Sequence, residues 1–265
     1  MLSLALATYF MSGLLSLANS VRKTGEGDVA LFRWPSLAAL VVATVSNALW
    51  IVTRWNELGY PPFADLYGCI VLFAWCVGVV SLTLELGSRE RFVGGAGSLV
   101  ASALLLAGTR WMGAEHPLPP ALRSLFFAPH VVSYFIAYGA LTVASIAAVV
   151  LLFRRPEPGA AAPGAEAWCG RAGGIAFPFL TLGLVLGAVW GQQAWGDWWG
   201  WDPKETWGLL SWLLVAAWIH LWRNARRGAL THVLLIVAVC ACWFTLFGVN
   251  YLPTAVQSQH TYTQP

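Results

Sequence analysis

Eight apolar runs of about membrane-spanning length divide this chain, at about 2–20, 35–53, 67–86, 92–109, 130–153, 174–195, 206–222 and 229–250. A helix needs about 20 apolar residues to cross the hydrocarbon, and inside lipid each backbone N–H and C=O must find its partner within the segment. The sequence therefore predicts an all-α, polytopic membrane bundle of about eight transmembrane helices. Only 10% of the 265 residues are charged and 58% are hydrophobic, far short of the roughly 25% charge that a water-facing shell requires. Soluble-enzyme, nucleic-acid-binding and disordered readings are excluded together, and membrane lipid is the expected surrounding.

The distribution of Lys and Arg orients the spans. Eleven of the fifteen fall in the segments 21–34, 87–91, 154–173 and 223–228, and only Arg54, Arg110, Arg123 and Lys204 fall on the other side. Cytoplasmic loops carry the excess of positive charge. Both termini are therefore expected outside. No Lys or Arg precedes the first run, and Arg22 and Lys23 follow it, so it reads as a retained span rather than a secretory leader. The segment 154–173, rich in Pro, Gly and Ala, reads as a cytoplasmic linker. One membrane domain is expected over 1–265, with a two-helix amino-terminal segment at 1–59 and a core at 60–265.

Unusual residues gather on the outer side. The most distinctive stretch is Trp195-Gly-Asp-Trp-Trp-Gly-Trp-Asp-Pro-Lys-Glu-Thr-Trp207, with five tryptophans in thirteen positions: Trp195, Trp198, Trp199, Trp201 and Trp207. An interfacial belt scatters single indoles at helix ends, whereas here they alternate with glycine and charge. Flat π-faces with glycines between them suit a large flat aromatic ligand such as a porphyrin. Within the stretch, Asp202 at N-cap, Pro203 at N1 and Glu205 at N3 spell a capping box that starts the seventh span. The same helix end, with Lys204, offers a resting place for a ligand carboxylate.

Five histidines accompany this segment: His116, His130, His220, His232 and His260. His130 stands at the outer mouth of the fifth run and His260 in the outer tail, so two outer imidazoles flank the tryptophans, as a six-coordinate haem iron requires. His220 lies inside the seventh run, about 20 Å below Trp207, and an ionisable group at depth is a functional candidate. His232 is a possible companion for it, and His116 a spare outer ligand. The five cysteines form no disulfide pattern and no C-x-x-C-H haem-attachment motif.

On these residues the chain resembles the CcsA/ResC family, the haem-handling membrane subunit of System II cytochrome c biogenesis. The tryptophan stretch is similar to that family's WWD domain, and Pro62-Phe63-Ala64-Asp65-Leu66-Tyr67, Pro129-His130 and His220 support the likeness. The resemblance implies a cytochrome c biogenesis subunit, within a synthase of the haem lyase type, that moves non-covalently held haem b outward. It would present the haem on the tryptophan platform to apocytochrome c. Iron ligation would fall to His130, His260 and His220, with Trp195, Trp198, Trp199, Trp201, Asp202, Lys204 and Trp207 around the haem. It also implies a CcsB/ResB-like partner and a bacterial cytoplasmic or thylakoid-type membrane. A CcmC-like haem exporter without synthase activity is the alternative. Two departures from the family pattern stand out: Gly68 follows Tyr67 where Glu is usual, and the tail around His260 lacks the usual flanking glycines.

Overall fold

The structure is a computed structural model that describes residues 1–21, 30–87, 91–113, 118–153, 164–224, 228–254, 258 and 260. Among these, all regular structure is helical. Eight long helices run as α1 (Leu2–Val21), α2 (Ala30–Leu58), α3 (Leu66–Gly87), α4 (Arg91–Gly108), α5 (Phe127–Phe153), α6 (Gly164–Trp195), α7 (Pro203–Arg223) and α8 (Ala229–Leu246). Each coincides with one of the eight expected runs, although α8 ends at Leu246, short of the expected 250, where a 3-10 turn at Gly248–Tyr251 takes over. Seven are long and apolar enough to cross a membrane, which makes this an integral membrane protein. The eighth, α7, has 21 residues and so reaches about 31 Å, but Lys204, Glu205, His220 and Arg223 at its two ends lower its apolar content.

The chain forms two compact units, Met1–Glu115 with Pro156–Trp168, and His116–Arg155 with Cys169–Pro265. In the first, α1 packs on α2 and α4, and α3 on α4 and α2. Small residues make the close approach possible, as is usual where lipid tails compete with side chains for apolar contact. Ser12, Ser16, Ser36 and Ser98 are buried there, with the Ser16 and Ser36 hydroxyls 2.7 Å apart and Ser36 donating to the Ser12 carbonyl at 3.1 Å. Asp65 starts α3 by accepting the Gly68 amide at 2.7 Å. A Cβ on residue 68 would overlap the Pro62 carbonyl, so this turn is built around glycine.

In the second unit α8 packs on both α5 and α7. Against α5 the α6 helix presents Gly183 and Gly187, whose Cβ positions are taken by Tyr134 and His130. Toward α7 it turns Thr181, which accepts the Trp212 indole N–H at 2.9 Å. Exposed apolar side chains such as Val185, Leu213 and Val237 would be costly in water and belong against lipid.

The expected linker 154–173 differs from the structure in its second half. Residues 164–173 are the first turns of α6, and 154–163 lie outside the described residues. The glycines that read as linker pack against tryptophan: a Cβ on Gly173 would sit 2.8 Å from the Trp218 ring, and one on Gly170 would sit 3.3 Å from Trp222 Nε1.

Candidate functional site

The predicted capping box is present at the start of α7. Asp202 Oδ1 accepts the Lys204 amide at 2.9 Å, and Glu205 Oε2 reaches back to the amides of Asp202 at 3.1 Å and Gly200 at 2.9 Å. These contacts hold the preceding loop in a tight turn in which Trp201 takes φ 56°. Such a left-handed backbone is uncommon for a bulky residue. The turn leaves the Trp201 and Trp198 indoles 68% and 60% exposed, with Trp199 and Trp201 edge to face at 5.9 Å. Trp207 points the other way and packs on Phe244 at 4.3 Å.

His130 and His260 meet around one side chain that the sequence reading passed over, Trp190. Its ring centroid lies 5.4 Å from that of His130 and 5.3 Å from that of His260. Trp190 is buried, and its indole N–H donates to the Ala121 carbonyl at 2.8 Å. Trp195, five residues on, lies 4.8 Å from Trp190 and 4.6 Å from His260. No same-face helical spacing links the two in the sequence, and a lone indole in an apolar run looks like an interfacial anchor.

Each imidazole has its Nδ1 beside an oxygen. His130 Nδ1 lies 2.8 Å from the Gly183 carbonyl, which can only accept, so Nδ1 carries the proton and Nε2 keeps its lone pair. His260 Nδ1 lies 3.2 Å from Asp202 Oδ1, an ion-pair distance without hydrogen-bond geometry, and the anion beside it favours a proton on Nδ1. The tail that carries His260 is held by Lys204, whose Nζ donates to the His260 carbonyl at 2.7 Å, and by Ser258, whose hydroxyl donates to Asp202 Oδ1 at 3.0 Å. Burial pushes the Asp202 carboxyl upward in pKa, but the His260 imidazole, the Lys204 amide and the Ser258 hydroxyl outweigh it and bring it down to about 2. Asp202 is therefore anionic at neutral pH.

The remaining histidines stand apart. His220 is exposed near the far end of α7, eighteen residues or about 27 Å along the chain from Asp202, with its Nε2 3.2 Å from Asn224 Nδ2. His232 is buried in α8 and faces Trp222 at 6.3 Å. His116 lies outside the described residues. Among the described residues no cluster of three or more His, Cys, Asp or Glu suited to a metal ion occurs, so the pairing of His130 and His260 carries the ligand question.

Comparison with known proteins points one way. Residues 63–256 match the family described as Cytochrome C assembly protein. The chain is 31% identical over 236 residues to the cytochrome c biogenesis protein CcsA of Chlamydomonas reinhardtii, covering 82% of this chain and 67% of that one. It is 29% identical to the CcsA of Gloeobacter violaceus, covering 84% and 85%. Among solved structures, the cytochrome c haem lyase CcmF shares the fold, with a TM-score of 0.67 at 20% identity over 93% of this chain, although the chain spans only 45% of CcmF. Matched over most of its length, from the Pro62 loop through the tryptophan stretch and into the tail, the chain belongs to the cytochrome c assembly family and, within it, to the CcsA proteins.

Proposed function

We propose that this protein acts in cytochrome c maturation by holding haem b non-covalently between His130 and His260 and presenting it to apocytochrome c. The observation that carries the reading is that both imidazoles touch Trp190 and both have Nδ1 set against an oxygen. That leaves Nε2 as the donor on each ring. Metal-ligating histidines are held in this way, with the second nitrogen bonded to a carbonyl or carboxylate that fixes tautomer and orientation. The donor set therefore fits haem iron.

Haem here is cargo and substrate. The chemistry it brings is addition of the two apocytochrome thiols across its vinyl groups, each S–H adding to a C=C to give a thioether. The protein's share is placement. Trp190 and Trp195 pack around the ligand pair, exposed Trp198 and Trp201 with Trp199 offer flat surfaces at the mouth, and Trp207 braces the segment against α8. The site is assigned to the outer face by the Lys and Arg asymmetry, with both termini outside. His220, at the other end of α7, is assigned to an inner haem position completed by a CcsB/ResB-like chain. Eight long helices and a histidine in the carboxyl-terminal tail favour this reading over an exporter of the CcmC type.

Absorption spectra of the purified protein beside His130→Ala and His260→Ala test the ligand pair. Each variant is expected to lose haem or to convert it to a form with an open iron position that added imidazole refills. Unchanged spectra in both would overturn the reading.

A further inference from the structure

We propose that Asp202 is a positioning residue for His260, its carboxylate acting with Lys204 as a clamp that docks the tail on the start of α7 and aims Nε2 of the imidazole. This deepens the ligand reading above and rests on it. Starting a helix requires of Asp202 only that Oδ1 accept an amide of the first turn, which it does with Lys204 at 2.9 Å. The same oxygen also takes the Ser258 hydroxyl at 3.0 Å and sits 3.2 Å from His260 Nδ1. Lys204 adds a bond from Nζ to the His260 carbonyl at 2.7 Å. None of these three tail contacts serves the cap.

Together they leave the imidazole little freedom. Its backbone is tied at the carbonyl, its Nδ1 sits beside the carboxylate, and its ring lies edge-on against Trp195 at 4.6 Å and Trp190 at 5.3 Å. The acidic and basic residues of the tryptophan segment thus act through the tail instead of on a haem propionate. The two outer histidines are also unequal, because His130 faces a neutral carbonyl and His260 an anion. A negative charge 3.2 Å from Nδ1 makes Nε2 a stronger donor and favours the more positively charged oxidised iron.

Redox titration and absorption spectra of the full chain with haem bound test the carboxylate, and deuterium uptake by the 252–265 segment of the haem-free chain tests the clamp. Asp202→Asn keeps an acceptor oxygen and loses the charge, so the midpoint potential is expected to rise while the spectrum keeps two imidazoles. Lys204→Met is expected to raise tail uptake several-fold, and part of the haem should lose one ligand until imidazole is added. Glu57→Gln removes a carboxylate from the exposed Arg54 pair of α2, contacts neither the cap nor the tail, and should move neither the potential nor the uptake. An unshifted potential in Asp202→Asn, or an equal shift in Glu57→Gln, overturns the proposal. If His260→Ala alters the spectrum while Asp202→Asn leaves the potential unmoved, the clamp fails and the ligand reading stands. A wild-type spectrum in His260→Ala removes both.

Discussion

At residue 201 a tryptophan sits at φ 56°, a conformation that costs an L-residue about 1–2 kcal/mol. The Glu205 carboxylate, bonded to the amides on either side of it, offsets that cost and keeps the indole turned outward. Trp201→Gly and Trp201→Ala remove the same ring, so they should lower haem retention alike. In stability they should part, with the glycine variant the more stable of the two in a thermal melt by about 1 kcal/mol, since only glycine enters this region without penalty. Residue 187 is the opposite case, where glycine supplies space and not conformation. A Cβ there would lie 2.6 Å from His130 Cε1 and 2.7 Å from Nδ1. Gly187→Ala is expected to push the imidazole off the Gly183 carbonyl and to mimic His130→Ala in the haem spectrum, with imidazole restoring the band. A variant spectrally identical to wild type would show that the ring tolerates the methyl.

Among the elements, the start of α7 was the part most legible in the sequence, because a capping box is written in four consecutive residues and needs no tertiary partner. The start of α6 was not, since Gly170 and Gly173 look like linker until the Trp222 and Trp218 rings that pack against them are in place. Trp190 stayed hidden for a similar reason, its significance resting on residues 121, 130 and 260. The docking of the tail joins positions 56 apart, and no local pattern announces it. That docking carries a pH signature. The Asp202 carboxyl is lowered to about 2 from an ordinary value near 3.9, so its stabilising effect is complete above the ordinary value and is lost as pH falls from there through about 2. Deuterium uptake by the tail of the haem-free protein, compared at matched intrinsic exchange, should be flat from neutrality to about pH 5 and rise below about pH 4. A rise already present at neutral pH would contradict the assignment.

For the whole molecule, the decisive question is whether α7, the least apolar of the eight long helices, crosses the membrane. Its length suffices and its ionisable residues sit at its ends, so crossing is the expected arrangement. In a background without native cysteines, Trp198→Cys should react with an impermeant thiol reagent from outside, and Asn224→Cys only after permeabilisation. Labelling of both from one side would place α7 along the surface and reverse the side assigned to the tail. The eight helices were readable from apolar length alone, while the grouping of α1 to α4 into one unit and of α5, α7 and α8 into the other depends on contacts that composition does not encode. The anchoring of His260 on Asp202 and Lys204 also has a consequence for the order of biosynthesis. Translation delivers His130 first, then Trp190 and the α7 cap, and His260 only after α8 has emerged, so the proposed two-imidazole pocket is completed by residues made later than every helix that carries its other parts. A nascent protein halted after α8 would carry the cap and the tryptophans and lack one of the two imidazoles proposed to hold haem.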